Sequence, residues 1–386
     1  MSDAPLVDLN PAELVADPYP ALARLQAETP IAYVPQLGAT LITRRNVIFE
    51  QEKRIEVFSS RQPQGLMTRL MGENMMRKDG EAHGAERRAC FPAYSPRTVR
   101  DRWSNAFRAA ARAALEDMGR QGQCDLLRDY AMRLSGEALR AITGLHGLTW
   151  QDMDAVSQGM IDGIANYTGN PYIEARCHAA TARIDAVIDA QTDDPPANSL
   201  LDVQLRAGLP MDSVRANIKL AISGGQNESR DAIAGCAWAL LSHPGQLAKV
   251  RAGTASWHNA FAEFARWIAP IGMSPREVAR EDVVEGVRFD PGDRVFLMYG
   301  IGNRDPEVFD RPDVFDVIRD TRLSLAFGAG PHFCAGAAAS RSLIAEVALP
   351  MLFERFPEME LAGPVSFAGW AFRGPKSVPV RHGGAG

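Results

Sequence analysis

The sequence has few cysteines, and they show no arrangement typical of a metal site or a disulfide framework. Its five cysteines are an odd number spread over the whole chain, with no Cys-x-x-Cys pair and no Cys/His spacing of the zinc-binding kind. No apolar run approaches the ~20 residues that a membrane-spanning helix needs. The acidic, proline-rich N-terminal stretch lacks the basic start and apolar core of a signal peptide. We therefore expect a cytoplasmic protein with no membrane partner.

A large excess of either charge is also absent. The net charge of −5 at pH 7 argues against nucleic acid as a partner. No Gly-x-Gly-x-x-Gly follows a strand-like segment, so the chain has no flavin or nicotinamide motif of its own. With 46% hydrophobic and 23% charged residues, the composition is that of a globular protein with a sizeable core.

The residue pattern predicts a mainly helical single domain over residues 1–386, with small β-sheets. Apolar residues at helical spacing predict helices at 18–29 and 255–268. They also predict one long helix over 211–241, which would extend for about 45 Å. A strand–turn–strand pattern covers 31–45.

The stretch LAFGAGPHFCAG at residues 325–336 surrounds one cysteine, Cys334, with glycines. A buried core cysteine needs no such setting, whereas glycines let the backbone approach a planar ligand without Cβ clashes. A helix-forming run follows, and the free N–H groups at a helix N-terminus stabilise a thiolate. His332, two residues earlier, is placed to bind an anionic group of the same ligand. The pattern favours a ligand-binding cysteine.

This stretch resembles the haem-binding loop of the cytochrome P450s, which are haem-thiolate monooxygenases. The resemblance implies the P450 fold with a long central oxygen-binding helix, and haem b (iron protoporphyrin IX) as cofactor. It implies that Cys334 is the axial ligand of the haem iron, that Phe327 shields its sulfur, and that His332 contacts a propionate. Gly328 and Gly336 would let the loop approach the haem.

Glu263 and Arg266, in AEFARWIAP, form a second motif. Taken alone, they also fit a surface ion pair at i,i+3, worth only tenths of a kcal/mol. They resemble the family's Glu-x-x-Arg pair, which implies a buried structural role. The cation that often joins this pair is replaced by Val314, so the resemblance leaves open how the network closes.

Three further residues are candidate ligands of the haem propionates. His83 and Arg87 resemble the family's His-x-x-x-Arg clamp, although a pair four residues apart also fits a solvated helix face. The resemblance implies Arg276 as a third propionate ligand, in a loop that is one residue out of the common register.

The predicted long helix contains SGGQNESRD. The Gly224–Gly225 pair costs a helix interior roughly 2 kcal/mol relative to alanine, and in the family such glycines open a groove for O2 and water. Asn227 and Glu228 occupy the positions where the family usually has an acid and a threonine. Glu228 has three open roles: a proton relay whose pKa is raised by burial, a base towards hydrogen peroxide, or an ion-pair partner of Arg230 or Arg266.

The last hairpin, FAGWAFRGPKSVPV, resembles that of bacterial aromatic O-demethylases of the guaiacol-demethylating kind, which also carry a glutamate in place of the threonine. The resemblance implies that Phe372 and Tyr167 line the substrate pocket, although core packing explains both equally well. Such a pocket suits a small, flat, apolar ring, and the absence of a fixed cation favours neutral methoxyphenols. The other candidate pocket residues are Trp370, Ile271, Met67 and Leu70.

The sequence therefore predicts a monooxygenase that uses O2 and electrons from NAD(P)H, and that converts a small methoxylated aromatic to a phenol and formaldehyde. A reductase carrying FAD and a [2Fe–2S] cluster, or a ferredoxin, would deliver the electrons. Arginines within 87–102 and Arg341 could dock an acidic partner, although a solvated face explains them almost as well. The open alternatives are hydroxylation of another small apolar compound such as a terpenoid, a peroxide-driven reaction using Glu228, and a haem sensor without turnover.

Overall fold

The computed structural model describes residues 2–166 and 169–383. Its α-helices, in chain order, are α1 (Pro11–Ala16), α2 (Tyr19–Glu28), α3 (Arg45–Gln51), α4 (Leu66–Met71), α5 (Gly80–Tyr94), α6 (Pro96–Thr98), α7 (Ser104–Gly119), α8 (Met132–Thr143), α9 (Trp150–Ile164), α10 (Pro171–Gln191), α11 (Leu200–Arg206), α12 (Met211–Ser223), α13 (Gln226–Ser242), α14 (Pro244–Arg251), α15 (Trp257–Ile268), α16 (Tyr299–Gly302), α17 (Ala337–Arg341) and α18 (Leu349–Arg355).

The strands are short and form four small sheets among the described residues. In chain order they are β1 (Ile31–Val34), β2 (Ala39–Ile42), β3 (Phe58–Ser59), β4 (Gln123–Asp125), β5 (Ser274–Val278), β6 (Asp282–Val284), β7 (Val287–Phe289), β8 (Arg294–Leu297), β9 (Glu360–Leu361), β10 (Phe367–Ala368), β11 (Gly374–Pro375) and β12 (Pro379–Arg381). The prediction of a mainly helical fold with small sheets is confirmed.

The predicted helices at 18–29 and 255–268 correspond to α2 and α15, but the single long helix over 211–241 is wrong. Helix α12 ends at Ser223 and α13 begins at Gln226, so the Gly224–Gly225 pair interrupts the helix. The N–H of Gly225 donates to the Ile222 carbonyl at 3.3 Å, which is an i→i−3 contact in place of the i→i−4 bond of an α-helix. Two consecutive glycines carry the highest conformational cost in a helix, which makes this the point where it breaks.

One compact unit consists of the described part of residues 1–61 together with 235–334 and 365–376. Its main sheet has the order β1-β2-β8-β5-β3, in which β2 and β8 are parallel and the other neighbours antiparallel. Buried side chains pack on both faces of this sheet, with Phe58 and Phe289 on one side and Leu41 and Phe296 on the other. Helix α15, which carries the Glu-x-x-Arg motif, lies in the stretch 235–334. The loop that leads to Cys334 is the end of that stretch.

The second unit consists of the described residues within 62–234, 335–364 and 377–383. Helices α7, α8, α9 and α10 pack consecutively, and α12 packs against α8 and α9. The sheet of this unit has the order β4-β12-β9. Each unit is assembled from three separate stretches of the chain. The single domain over residues 1–386 stays a prediction. No helix in the described part of the chain is both long enough and apolar enough to cross a membrane.

Candidate haem-thiolate site

The loop before Cys334 closes on itself through backbone hydrogen bonds. Gly328 and Gly330 have φ of +67° and +60°, a region that L-residues with a side chain rarely adopt. The N–H of Cys334 donates to the Phe327 carbonyl at 2.9 Å, and that of Gly328 donates to the Leu325 carbonyl at 2.9 Å. These turns place Cys334, which is half-buried, at the end of a rigid loop. His332 lies in a single 3-10 turn within the same loop.

Phe327 is the first residue of this closed turn, and its ring packs against aromatic neighbours. Its ring contacts Phe261 edge-to-face at a centroid distance of 6.2 Å, and Phe333 at 6.4 Å. Phe261 is on α15, which connects the loop to the helix that carries the Glu-x-x-Arg pair. This position is compatible with the predicted shielding of the Cys334 sulfur.

Glu263 and Arg266 are fully buried and form a bidentate pair, with Arg266 Nε 2.7 Å from Glu263 Oε2 and Nη2 2.8 Å from Oε1. The second cation is Arg319, whose Nε donates to Glu263 Oε1 at 3.2 Å. Val314 contributes its carbonyl, which accepts from Arg319 at 3.2 Å and from Arg266 at 3.4 Å. The network therefore closes through a residue five positions beyond Val314, and the sequence offered no signal for it.

Asn303 connects this network to the thiolate loop. Arg266 Nη1 donates to the Asn303 carbonyl at 2.8 Å. The side-chain Oδ1 of Asn303 accepts the N–H of Leu325 at 2.6 Å, at the start of the loop. Because Asn303 is fully buried, these bonds transmit the position of α15 directly to the loop. The sequence analysis did not identify Asn303.

Asn227 and Glu228 lie in the first turn of α13 but have different environments. Asn227 bonds to α9: its Oδ1 accepts from Ser157 Oγ at 3.2 Å, and its Nδ2 donates to Gln158 Oε1 at 3.3 Å. The carboxylate oxygens of Glu228 are both buried and have no hydrogen-bond partner among the described residues. Burial is the main cause that raises the pKa of Glu228 to about 7, with a further contribution from Asp231.

The ion-pair role for Glu228 does not agree with the structure. Arg230 Nε donates to Asp231 at 2.8 Å, and its Nη1 donates to Asp154 on α9 at 3.1 Å. Arg266 is engaged by Glu263. Glu228 is therefore a buried carboxyl that is partly protonated near neutral pH, a property that a proton-relay residue needs.

The three predicted propionate ligands lie on two elements. His83, which is buried, and Arg87, which is half-buried, are one turn apart on α5. Arg276, on β5, is 3% exposed and its Nη2 donates to Glu52 Oε1 at 2.7 Å. The fit to haem therefore rests on the donor chemistry of Cys334 in its glycine-rich loop.

Phe372, in the C-terminal hairpin, and Ile271, before β5, are predicted pocket residues that lie next to each other. Phe372 forms an antiparallel bridge with Ile271, and the N–H of Gly272 donates to the Ala371 carbonyl at 2.9 Å. The ring of Trp370 lies 6.0 Å from that of Phe296 and packs against the core.

The remaining pocket candidates are on α4, apart from one that the structure does not describe. Leu70 is buried and Met67 half-buried. A methyl carbon of Leu70 is 3.3 Å from the position that a Cβ on Gly163 of α9 would occupy. Tyr167 is outside the described residues.

Comparison with known proteins decides the family. The Cytochrome P450 family model matches residues 258–360. The epothilone C/D epoxidase of Sorangium cellulosum is 30% identical over 395 residues, covering 94% of this chain and 92% of that protein. This chain belongs to the cytochrome P450 family. The pulcherriminic acid synthase of Bacillus subtilis is a further relative, 25% identical with 96% of each chain covered.

Solved structures agree with this P450 assignment. Epothilone B-bound cytochrome P450epoK superposes with a TM-score of 0.85 at 25% identity, covering 95% of this chain and 96% of that one. P450BioI, solved in complex with an acyl carrier protein that carries a fatty acid, gives a TM-score of 0.88 at 22% identity, with 95% and 99% covered. The predicted P450 fold is confirmed.

Membership in the family settles the general chemistry. The protein is a haem-thiolate monooxygenase that uses haem b, O2 and electrons from NAD(P)H delivered through a partner. The predicted likeness to guaiacol-type demethylases is a narrower statement that the comparisons do not carry.

Proposed function

We propose that this P450 removes the methyl group from a small methoxylated aromatic of the guaiacol type. One oxygen atom of O2 is inserted into a methoxy C–H bond, and the other leaves as water after two electrons and two protons have been added. The resulting hemiacetal breaks its methyl-side C–O bond and gives a phenol and formaldehyde. Haem with a thiolate ligand supplies the activation of O2 in this scheme.

The observation that carries the proposal is the environment of Glu228. A carboxyl with a pKa near 7 can bind and release a proton near neutral pH, and neither step has a large free-energy cost. Both of its oxygens are buried and have no hydrogen-bond partner in the part of the chain that the structure describes, whereas Asn227 is held by Ser157 and Gln158. These contacts favour Glu228 as the residue that transfers protons, and Asn227 as a residue that fixes the start of α13 against α9.

The hairpin that carries Phe372 supports an aromatic substrate. Gly369 has φ of +89°, and a Cβ there would lie 1.9 Å from the Phe372 carbonyl oxygen. A Cβ on Gly272 would lie equally close to the Trp370 carbonyl. The N–H of Arg373 donates to the Pro270 carbonyl at 2.9 Å. The backbone on both sides of Phe372 is thereby held in one position, and a rigid aromatic wall suits a flat ring.

Electron delivery requires a partner, and the proposed one carries FAD and a [2Fe–2S] cluster or is a ferredoxin. Five of the exposed arginines in the second unit are the candidates that would attract an acidic partner. They are Arg88, Arg97, Arg100, Arg102 and Arg341. Two of them already interact with Asp101, so the attraction is expected to be weaker than five free charges would give.

The second candidate function is a peroxide-driven reaction, favoured by the same carboxyl. A deprotonated Glu228 could accept a proton from hydrogen peroxide, which would remove the need for a reductase. The O2-dependent demethylation requires proton delivery to O2 and therefore a protonated Glu228. The two reactions thus differ in the protonation state of Glu228 that is active.

The proposal is tested by optical titration of the purified ferric holoenzyme with guaiacol, 4-methoxybenzoate and camphor. We expect guaiacol to convert the haem from low to high spin, because a ring near the iron displaces its water. Formaldehyde should then form with NADH and a surrogate reductase, but not with hydrogen peroxide alone. A spin shift with camphor and none with any methoxyphenol would contradict the proposed substrate class while leaving the P450 assignment intact.

A further inference from the structure

A buried carboxylate, Glu52, lies next to the loop that carries Cys334. It follows α3 directly and is 1% exposed. Its Oε1 accepts two hydrogen bonds, from Arg276 Nη2 at 2.7 Å and from the Tyr299 hydroxyl at 2.5 Å. Arg276 and Tyr299 are also buried, at 3% and 6% exposed. Glu52 Oε1 therefore compensates the buried charge of Arg276 and also accepts the hydrogen bond of the buried Tyr299 hydroxyl. An apolar residue in place of Glu52 could do neither.

Glu52 lies next to the thiolate loop at both of its left-handed glycines. A Cβ on Gly328 would lie 3.5 Å from the Tyr299 hydroxyl and 3.8 Å from Glu52 Oε2. A Cβ on Gly330 would lie 2.9 Å from the Glu52 carbonyl oxygen and 3.3 Å from its carbonyl carbon. The side chain therefore borders one corner of the loop, and the backbone of the same residue borders the other.

These two corners lie within the turn that ends at Cys334. Both glycines fall between Phe327 and Cys334, whose carbonyl and N–H close the loop at 2.9 Å. A shift of Glu52 would move the corners and, with them, the sulfur at the end of the loop. Neither motif nor composition singles out Glu52.

We propose that Glu52 is a positioning residue for the axial thiolate, acting through Tyr299 and the glycines of the loop to set the position of Cys334 Sγ. Some residues orient a metal ligand without binding the metal themselves. Replacing such a residue typically lowers metal affinity or activity by about 10- to 100-fold. Arg276 is also the arginine that the sequence predicts to bind a propionate. Its Nη2 group donates to Glu52 instead.

The test uses purified holoenzyme of the wild type, Tyr299→Phe and Glu52→Gln. Tyr299→Phe keeps the ring and every charge, so it removes only the hydrogen bond and the contact at Gly328. The matched control is Glu50→Gln, on α3 two residues before Glu52, where the carboxylate is exposed and pairs with Lys53. The readouts are the Fe–S stretching band in the resonance Raman spectrum and the Soret band of the ferrous carbonyl complex, followed over time below the unfolding temperature.

We expect both variants to bind haem, and to convert from the thiolate-ligated to the thiol-ligated carbonyl form about 10-fold faster than the wild type. The Fe–S band should shift in both and remain unchanged in Glu50→Gln. A lower melting temperature with a wild-type Fe–S band and conversion rate would mean that Glu52 is only structural, and would overturn the proposal. If Glu52→Gln fails to fold because Arg276 is left uncompensated, Tyr299→Phe decides the outcome alone.

Discussion

Arg319 Nε lies 3.2 Å from Glu263 Oε1, so the same carboxylate that pairs with Arg266 binds a second arginine. Arg319 also donates through Nη1 and Nη2 to the carbonyls of Asp310 and Arg311. It therefore connects the loop around residue 310 to α15, and shares with Arg266 the task of compensating a fully buried charge.

Replacing Arg319 should destabilise the protein without leaving Glu263 entirely uncompensated. We expect Arg319→Ala to lower the free energy of unfolding by about 1.5–3 kcal/mol, the usual range for a hydrogen bond to a charged group. Arg266→Ala should cost more, about 3–5 kcal/mol, because it breaks the bidentate pair. The measurement is denaturant unfolding, with the exposed Arg322→Ala as control. Equal losses for Arg319→Ala and Arg322→Ala would contradict the assignment.

Asn303→Ala should weaken the attachment of the thiolate loop. The substitution leaves the N–H of Leu325 without an acceptor in a buried site, which typically costs about 1–3 kcal/mol. We expect faster transfer of haem to apomyoglobin in addition to the lower stability, since the start of the loop is no longer held. Haem loss at the wild-type rate would show that the loop is held without Asn303.

The pH dependence of stability should reveal the buried Glu228. Its pKa is about 7 when folded and 4.5 as an ordinary value, so the folded state binds the extra proton between these pH values. The stabilisation is complete below about pH 4.5 and is lost as the pH rises through 7, by about 3 kcal/mol in total. Glu228→Gln lacks this loss, so its stability relative to wild type should rise over that window.

Melting temperatures of the two proteins between about pH 5 and pH 8 check this dependence, with the exposed Glu358→Gln as control. Parallel curves for Glu228→Gln and wild type would refute the raised pKa. In turnover, Glu228→Gln should consume NADH with less product and more hydrogen peroxide. Unchanged coupling would remove Glu228 from the proton path.

Two glycines with nearly equal φ allow a test of the Phe372 hairpin. Gly369 and Gly292 have φ of +89° and +88°, but only Gly369 has a backbone neighbour that a Cβ would strike, the carbonyl of Phe372. We expect Gly292→Ala to cost about 1–2 kcal/mol of conformational strain and to leave the spin-state titration with guaiacol unchanged. Gly369→Ala should weaken guaiacol binding at least ~10-fold, which corresponds to about 1.4 kcal/mol. Equal binding by both variants would indicate that Phe372 does not contact the substrate.

Local sequence determined the parts of this protein whose constraints are local. The turn at Cys334 needs glycine at positive φ, and the Glu263–Arg266 pair needs only one helical turn, so both could be read from short motifs. The break between α12 and α13 was missed, although its cause, two consecutive glycines, is in the sequence, because apolar periodicity continues on both sides of it.

Tertiary structure decided which distant residues complete these motifs. Arg319 reaches Glu263 from 56 positions along the chain, Asn303 reaches Leu325 from 22, and Glu52 reaches Arg276 from 224. Charged and polar residues are common along the whole sequence, and burial alone distinguishes these few from the solvated ones. Burial depends on how helices and strands pack, which is why the chemistry of the haem loop was evident from its residues while the groups that hold it in place were not.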